Sequence, residues 1–352
     1  MPAPFSHRFP DLAALRRWLG TMRQRPCWHD WRWQVRSALG AEELRTAGLL
    51  PERGACAAAR QFPARVTPYV LDLTNLTDPS DRSDSPDPLA TQWLPSAAEL
   101  APDDGIADPF AEARHAPVPG VIQRFSDRIL VLVSALCATN CRHCTRRHTL
   151  GQQTLVRSAA QVRQVVAFLR ASPQVREVIL SGGDPLLLPD AALLRFVRAL
   201  AALPQLDAIR IGTRAPVVLP MRVTPALARA LGRSGRVWVN TQFNHVREIT
   251  PESAAACRRL VEAGVPVSNQ SVLLRGVNDS VEAMVALCAG LQRIRVRPYY
   301  VFVCDPVAGL GHLRTSRARA RAIAHGVASR LGGLAVPRFV ADVPGKPHKV
   351  PV

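Results

Sequence analysis

The sequence predicts an α/β protein built as a barrel or partial barrel of parallel strands, and three observations carry that expectation. Short β-branched runs recur six times beyond residue 121. Helical segments alternate with them, one strand every roughly 25–45 residues, which is the rhythm of βα units. The first run leads into a cysteine-rich loop, where a doubly wound dinucleotide fold would show a glycine-rich turn.

In order, the runs are RILVLVS (128–134), REVILS (176–181), DAIRIG (207–212), RVWVNT (236–241), VPVSNQSV (265–272) and VRPYYVF (296–302). Between them lie apolar patterns of helical period, SAAQVRQVVAFLRAS, DAALLRFVRALAAL, TPALARALGRSG and SVEAMVALCAGLQRI. Upstream, DLAALRRWLGTMRQ and DWRWQVRSALGAEELRTAGLL read as helices. Residues 76–120 are a Pro- and Asp-rich connector too poor in apolar side chains to build a core. The expected division is a helical extension and connector over 1–120, the barrel over 121–331, and a C-terminal segment over 332–352 opened by a strand in GLAVPRFVADV. Chemistry is expected at the C-terminal strand ends.

With 352 residues, 47% of them hydrophobic, the chain can bury one large core plus an extension. No apolar stretch approaches the roughly 18 residues of a membrane span and the start lacks an apolar signal core, so the expected compartment is the cytoplasm. In that reducing setting eight cysteines do not read as a disulfide framework, and a tight group of them reads as a metal or redox site. The net charge of +18 suggests nucleic acid at first sight. Yet 43 of the 45 basic residues are arginine, spread along the helices rather than gathered in a stripe, so no nucleic-acid surface is expected.

The loop LVSALCATNCRHCTRRHTLGQ holds Cys137, Cys141 and Cys144. The spacing C-x3-C-x2-C can hold three irons of a [4Fe–4S] cluster and leave the fourth open to a small molecule. A structural zinc site with His143 or His148 as fourth ligand is the alternative, but no second ligand pair follows.

CATNCRHCTRR, together with WHDWRWQVR, DPFAEARHAPVPGVIQRFSDRILVLV, LSGGDPLLL, RIGTRAPVVLP, NTQFNH, NQSVLLRGVND, VRPYYVFVCD and the final KVPV, resembles the lysine 2,3-aminomutase family of radical S-adenosylmethionine enzymes. The resemblance covers most of the chain. It implies a (β/α)6 partial barrel, S-adenosylmethionine on the open iron, pyridoxal 5′-phosphate on a lysine, and a one-electron reductant such as flavodoxin or ferredoxin. It assigns Gly182, Gly183 and Asp184 of SGGDP, with Arg214 and Gln270, to S-adenosylmethionine. Arg124 and Arg128 fall to the pyridoxal phosphate group, and Phe125 to its ring, where stacking is kept and a hydroxyl contact is not.

Covalent attachment of pyridoxal needs an amine that can lose its proton, which arginine does not provide. Only Lys346 and Lys349 qualify, and both fall in the last seven residues. The family pattern of Lys-x-Pro after a glycine-rich run favours Lys349, although a single glycine, Gly345, precedes it.

By the same resemblance Arg146 clamps the substrate carboxylate, while Asp305 and Asp342 hold a distal ammonium. Together they point to L-lysine as substrate and β-lysine as product, with arginine as the runner-up. The related enzyme that serves elongation factor P is the nearest rival, and a non-catalytic iron–sulfur or zinc protein a distant one. Relatives that form tight oligomers by the resemblance carry a zinc site with a cysteine in the RGVND region. Here Ser280 takes that place and the sequence ends at Val352, so zinc is not expected and any homo-oligomer should be weaker or differently built.

Overall fold

Residues 9–50, 53–74, 86–149, 154–346 and 348–352 are described by the computed structural model. The amino-terminal layer holds α1 (Leu12–Arg23), α2 (Trp31–Arg36), α3 (Ala41–Thr46), α4 (Arg53–Gln61), α5 (Pro68–Asp72) and α6 (Ala90–Trp93). Helix α1 starts where the Asp11 carboxylate accepts the Ala14 N–H at 2.7 Å, and it buries Leu15 and Leu19 one turn apart. The single helical reading of 30–50 is corrected. The chain leaves α2 at Ser37, and Leu39–Gly40 (β1) pairs antiparallel with Arg65–Val66 (β2) before α3 begins. Glycine and serine are weak helix formers, and the strand pairing satisfies the backbone they release.

The connector also does more than expected. Its residues 76–85 lie outside the described segments, but beyond them Leu89, Trp93 and Glu99 are buried. Two large side chains and one ion-paired carboxylate root the segment without any apolar period to announce it.

The main sheet runs β3 (Val121–Phe125), β4 (Arg128–Ser134), β5 (Glu177–Gly182), β6 (Ala208–Gly212), β7 (Val237–Thr241), β8 (Val267–Leu273), β9 (Arg297–Val303), β10 (Arg338–Ala341) and β11 (Val350–Pro351), each beside its sequence neighbour. Strands β4 to β10 are parallel; β3 and β11 close the two edges antiparallel. The six expected runs fall on β4 to β9 to within two residues. Helices α7 (Ala159–Arg170), α8 (Asp190–Ala201), α9 (Ala215–Val218), α10 (Pro225–Gly232), α11 (Pro251–Glu262), α12 (Val281–Arg293) and α13 (Arg317–Ala328) fill the crossovers. Each longer helix turns an apolar stripe to the sheet: Val162, Val165 and Leu169 on α7, and Leu193, Phe196, Val197 and Leu200 on α8. Ser280 is the cap of α12, accepting the Ala283 N–H at 3.1 Å.

Nine strands laid flat at about 4.8 Å would place the sheet edges roughly 38 Å apart. Instead Arg124 on β3 reaches Asp342, just past β10, at 3.0 Å. The sheet therefore curls almost onto itself, an unclosed barrel whose edges meet through side chains. Its inner face is free for chemistry.

Candidate active site

The cysteine loop follows β4 and is seated by two glycines at the end of β5. Gly182 has φ +114, and a Cβ there would lie 2.3 Å from the Ser134 carbonyl oxygen; one on Gly183 would lie 2.5 Å from the Leu136 carbonyl oxygen. That closeness lets the Gly183 and Asp184 amides donate to Ser134 and Leu136 at 2.6 and 2.7 Å. The Asp184 carboxylate accepts from Thr213 Oγ1 at 2.6 Å and from the Leu186 and Arg214 amides at 2.9 and 3.0 Å. These three residues therefore hold the cysteine loop from beneath.

On the loop's other flank, Arg142 and Arg147 are buried and both pair with Glu99, at 2.6 and 2.5 Å, with the Phe62 ring beside them. Burial alone would raise the Glu99 carboxyl, but the two guanidinium groups outweigh it and hold it below the usual carboxylate range. Burial pushes the Cys144 thiol up to about 11, and Cys137 rises well above the ordinary thiol range for the same cause. Such thiols become thiolates only against a strong cation, which is what a bound iron cluster provides.

All three cysteines are free. Among the described residues no group of three His, Cys, Asp or Glu side chains is arranged to hold a single metal ion. A four-iron cluster offers each thiolate its own iron, so the three need not converge on one point. His143 and His148, the candidate fourth ligands of a zinc site, each have Nε2 engaged elsewhere, while His143 Nδ1 is buried without a partner among the described residues. His143 Nε2 meets Gln242 at 2.9 Å, and His148 Nε2 meets the Ala308 carbonyl at 2.9 Å. The donor set fits the cluster.

Beside the loop the barrel encloses a cavity of about 630 Å³. Inward-pointing residues of successive strands line it, Ser181 from β5, Gly212 from β6, Asn240 from β7, Gln270 from β8 and Phe302 from β9. Asn240 Oδ1 and Arg210 Nε on this wall are buried without a partner among the described residues. Lys349, from the last strand connection, enters it with Nζ 3.4 Å from Asp342 Oδ2 and 4.9 Å from the Phe302 ring centre. Lys346 stays exposed. Arg124 bridges Asp342 with two N–H groups at 3.0 and 3.4 Å, and Arg128 lies 4.2 Å over the Phe125 ring. Lysine, paired arginines and an aromatic ring on one cavity suit a phosphorylated pyridoxal ring. Arg146 reaches the cavity and forks onto Glu112 at 2.6 and 3.0 Å. Asp305 is there too; burial, with Asp342 nearby, pushes its carboxyl up to about 7.

Eight of the residues singled out from sequence thus share one cavity: Arg124, Phe125, Arg128, Arg146, Gln270, Asp305, Asp342 and Lys349. Arg214 is placed differently, buried behind the cysteine loop with protein partners on four of its five N–H groups. Sequence reasoning missed Glu99, Glu112 and the buried set Gln92, Trp93, Glu248 and Asn244. Glu112 stood in plain view in DPFAEARH, beside the strained Ala111 (φ +48) that aims it, but no spacing tied it to Arg146.

A partial barrel with a three-cysteine loop at its mouth and a lysine in the same cavity defines a radical S-adenosylmethionine enzyme, and the pattern of the radical SAM superfamily matches residues 131–288. L-lysine 2,3-aminomutase of Clostridium subterminale is 44% identical over 331 residues, covering 92% of this chain and 78% of that protein. The Bacillus subtilis L-lysine 2,3-aminomutase is 40% identical, covering 92% and 68%. Glutamate 2,3-aminomutase of Clostridioides difficile is 36% identical, covering 83% and 68%. The chain belongs to the lysine 2,3-aminomutase family. It is an isomerase that uses a [4Fe–4S] cluster, S-adenosylmethionine and pyridoxal 5′-phosphate on an amino-acid substrate. Among the described residues no helix is long and apolar enough to cross a membrane.

Proposed function

We propose that this aminomutase moves the 2-amino group of L-lysine to carbon 3, giving β-lysine. The observation that carries the reading is Asp305: a half-buried carboxylate on the cavity wall, pushed up to about 7, with no ion pair of its own among the described residues. An unpaired buried anion is costly, and an arriving ammonium removes that cost. Asp342, at the end of the neighbouring strand β10, backs it and is already shared by Arg124 and Lys349. Two acidic groups favour a cationic side chain over an acidic one such as glutamate, and they favour free lysine over the elongation-factor branch.

The other roles follow from position. Cys137, Cys141 and Cys144 hold the cluster; Gly182, Gly183 and Asp184 fix their loop; Gln270 faces S-adenosylmethionine. Lys349 carries the pyridoxal cofactor, with Arg124 and Arg128 toward its phosphate and Phe125 along its ring. When bound, the two cofactors supply a hydrogen-abstracting adenosyl radical and a π system that accepts the migrating nitrogen's radical. Arg146 presents a planar fork that Glu112 fills without substrate and that the substrate carboxylate takes over. Residues 121–331 supply the cysteines and most of the cavity wall, Phe110 and Glu112 join it from the connector, and 332–352 add Asp342 and the lysine. The free thiols suit a reducing cytoplasm, where a one-electron reductant such as flavodoxin or ferredoxin delivers the electron.

Anaerobic incubation of the reconstituted enzyme with L-lysine, L-arginine or L-glutamate, followed by chromatography of the products, tests this. β-Lysine from lysine is expected. A β-amino acid formed faster from arginine or glutamate, or none from lysine, would overturn the assignment.

A further inference from the structure

The resemblance gives Arg214 to S-adenosylmethionine, yet its side chain is aimed at Cys141 of the cysteine loop. Nη1 donates to Cys141 Sγ at 3.0 Å. Nε donates to the Gln242 carbonyl at 2.9 Å, and Nη2 to Gln92 Oε1 and Glu248 Oε1 at 2.5 and 2.8 Å. The guanidinium lies 4.0 Å over the Trp93 ring. Gln92 and Trp93 belong to α6 in the connector, Glu248 to the turn after β7, and Asn244 Nδ2 completes the set on Gln92 Oε1 at 3.0 Å. Arg214 and Glu248 are both buried, so water does not screen them.

This arrangement uses what arginine alone provides, a rigid fork that serves four acceptors at once while stacked on an aromatic face. A lysine ammonium could not reach all four. The geometry also assigns a purpose to the connector segment that carries Gln92 and Trp93.

We propose that Arg214 is a positioning residue for the iron–sulfur cluster: its N–H to the Cys141 sulfur orients that ligand and sets the cluster's reduction potential. The reading rests on the cluster that family membership gives this chain. The cluster takes one electron from the one-electron carrier, gaining one negative charge, and later passes that electron to S-adenosylmethionine; Arg214 neither gains nor loses anything. A fixed cation with an N–H on a ligand sulfur stabilises the reduced form and raises the potential.

The test is an anaerobic, EPR-monitored redox titration of reconstituted protein, with iron and sulfide content measured alongside, on wild type, Arg214→Lys and Arg214→Gln. At the potential where half the wild-type cluster is reduced, Arg214→Gln should show a reduced-to-oxidised ratio about tenfold lower, a downward shift of about 59 mV for a one-electron couple. Arg214→Lys, which keeps the charge and loses the fork, should fall between the two. Both variants loading full iron and titrating at the wild-type midpoint would overturn the proposal. Should Arg214→Gln fail to hold iron, Arg214→Lys decides alone: a downward shift supports the proposal and an unchanged midpoint sinks it. Wild type without a four-iron cluster would instead contradict the family's cofactor set, a separate failure.

Discussion

The two sides of the barrel mouth handle charge in opposite ways. On the cysteine side, Glu99 binds Arg142 and Arg147, and Glu248 binds Arg214, all buried and mutually satisfied. On the side of β9, β10 and the C-terminal lysine, Asp305 is held up near 7 without an ion pair among the described residues, and Asp342 divides itself between Arg124 and Lys349. The difference separates a permanent support from an exchangeable site. A cluster loop needs groups that never let go. A substrate and a covalent cofactor need groups left short of partners, which a ligand then completes.

The comparison breaks most sharply at Lys349. Lys349→Ala should abolish the visible absorbance of bound pyridoxal cofactor and lower turnover by at least about 10³-fold, with iron content unchanged. Retained absorbance would move the attachment to Lys346. On the satisfied side, Glu99→Gln should instead cost about 3–5 kcal/mol of stability by stranding two buried guanidinium groups, read as a lower urea midpoint. A change below about 1 kcal/mol would deny that these pairs are a structural anchor.

Asp305 sharpens the contrast through pH. Its carboxyl is raised on folding, so under the proposed role it would bind the ammonium only when ionised, above about 7. The specificity constant for lysine should fall by about tenfold per unit as pH drops below that value, and Asp305→Asn should flatten this limb. Linkage gives the companion effect. A raised carboxyl favours the folded state while protonated, and that advantage is lost as pH rises from the ordinary carboxylate range through about 7. Asp305→Asn should therefore raise the ligand-free Tm at neutral pH while weakening lysine binding; a lowered Tm would contradict the unpaired-anion reading. The smallest effect belongs to Phe125→Leu, which removes the ring under Arg128 and should weaken pyridoxal binding by about 2–5-fold in a cofactor titration.

What the sequence disclosed follows the same division. Strands β4 to β9 were legible because β-branched runs repeat, and Cys137, Cys141, Cys144 and Lys349 stood out as candidates because their residue types have few other uses in such positions. Strand β3 was not, since its five residues include Gln123 and Arg124 and take shape only by folding back on β4. The buried ion pairs were hidden for another reason. Glu99 and Arg142 are 43 residues apart, and Glu248 and Arg214 are 34 apart, inside a chain so rich in arginine that no one guanidinium stands out. Arg214 shows the limit most clearly, since its motif marked it as functional while only the fold says toward what. The split of DWRWQVRSALGAEELRTAGLL into α2, β1 and α3 likewise depends on pairing with β2, 26 residues downstream of Leu39.

The measurement that bears most directly on the account is steady-state kinetics of lysine, arginine and glutamate on the wild-type enzyme and on Asp305→Asn and Asp342→Asn. Lysine should be the best wild-type substrate, and each variant should lose about 30-fold or more in kcat/KM for it, the scale of breaking a charge pair in a desolvated site. Near-normal lysine turnover in both variants, or arginine turned over better than lysine by the wild type, would contradict the claim that this side of the barrel is built to receive the lysine ammonium.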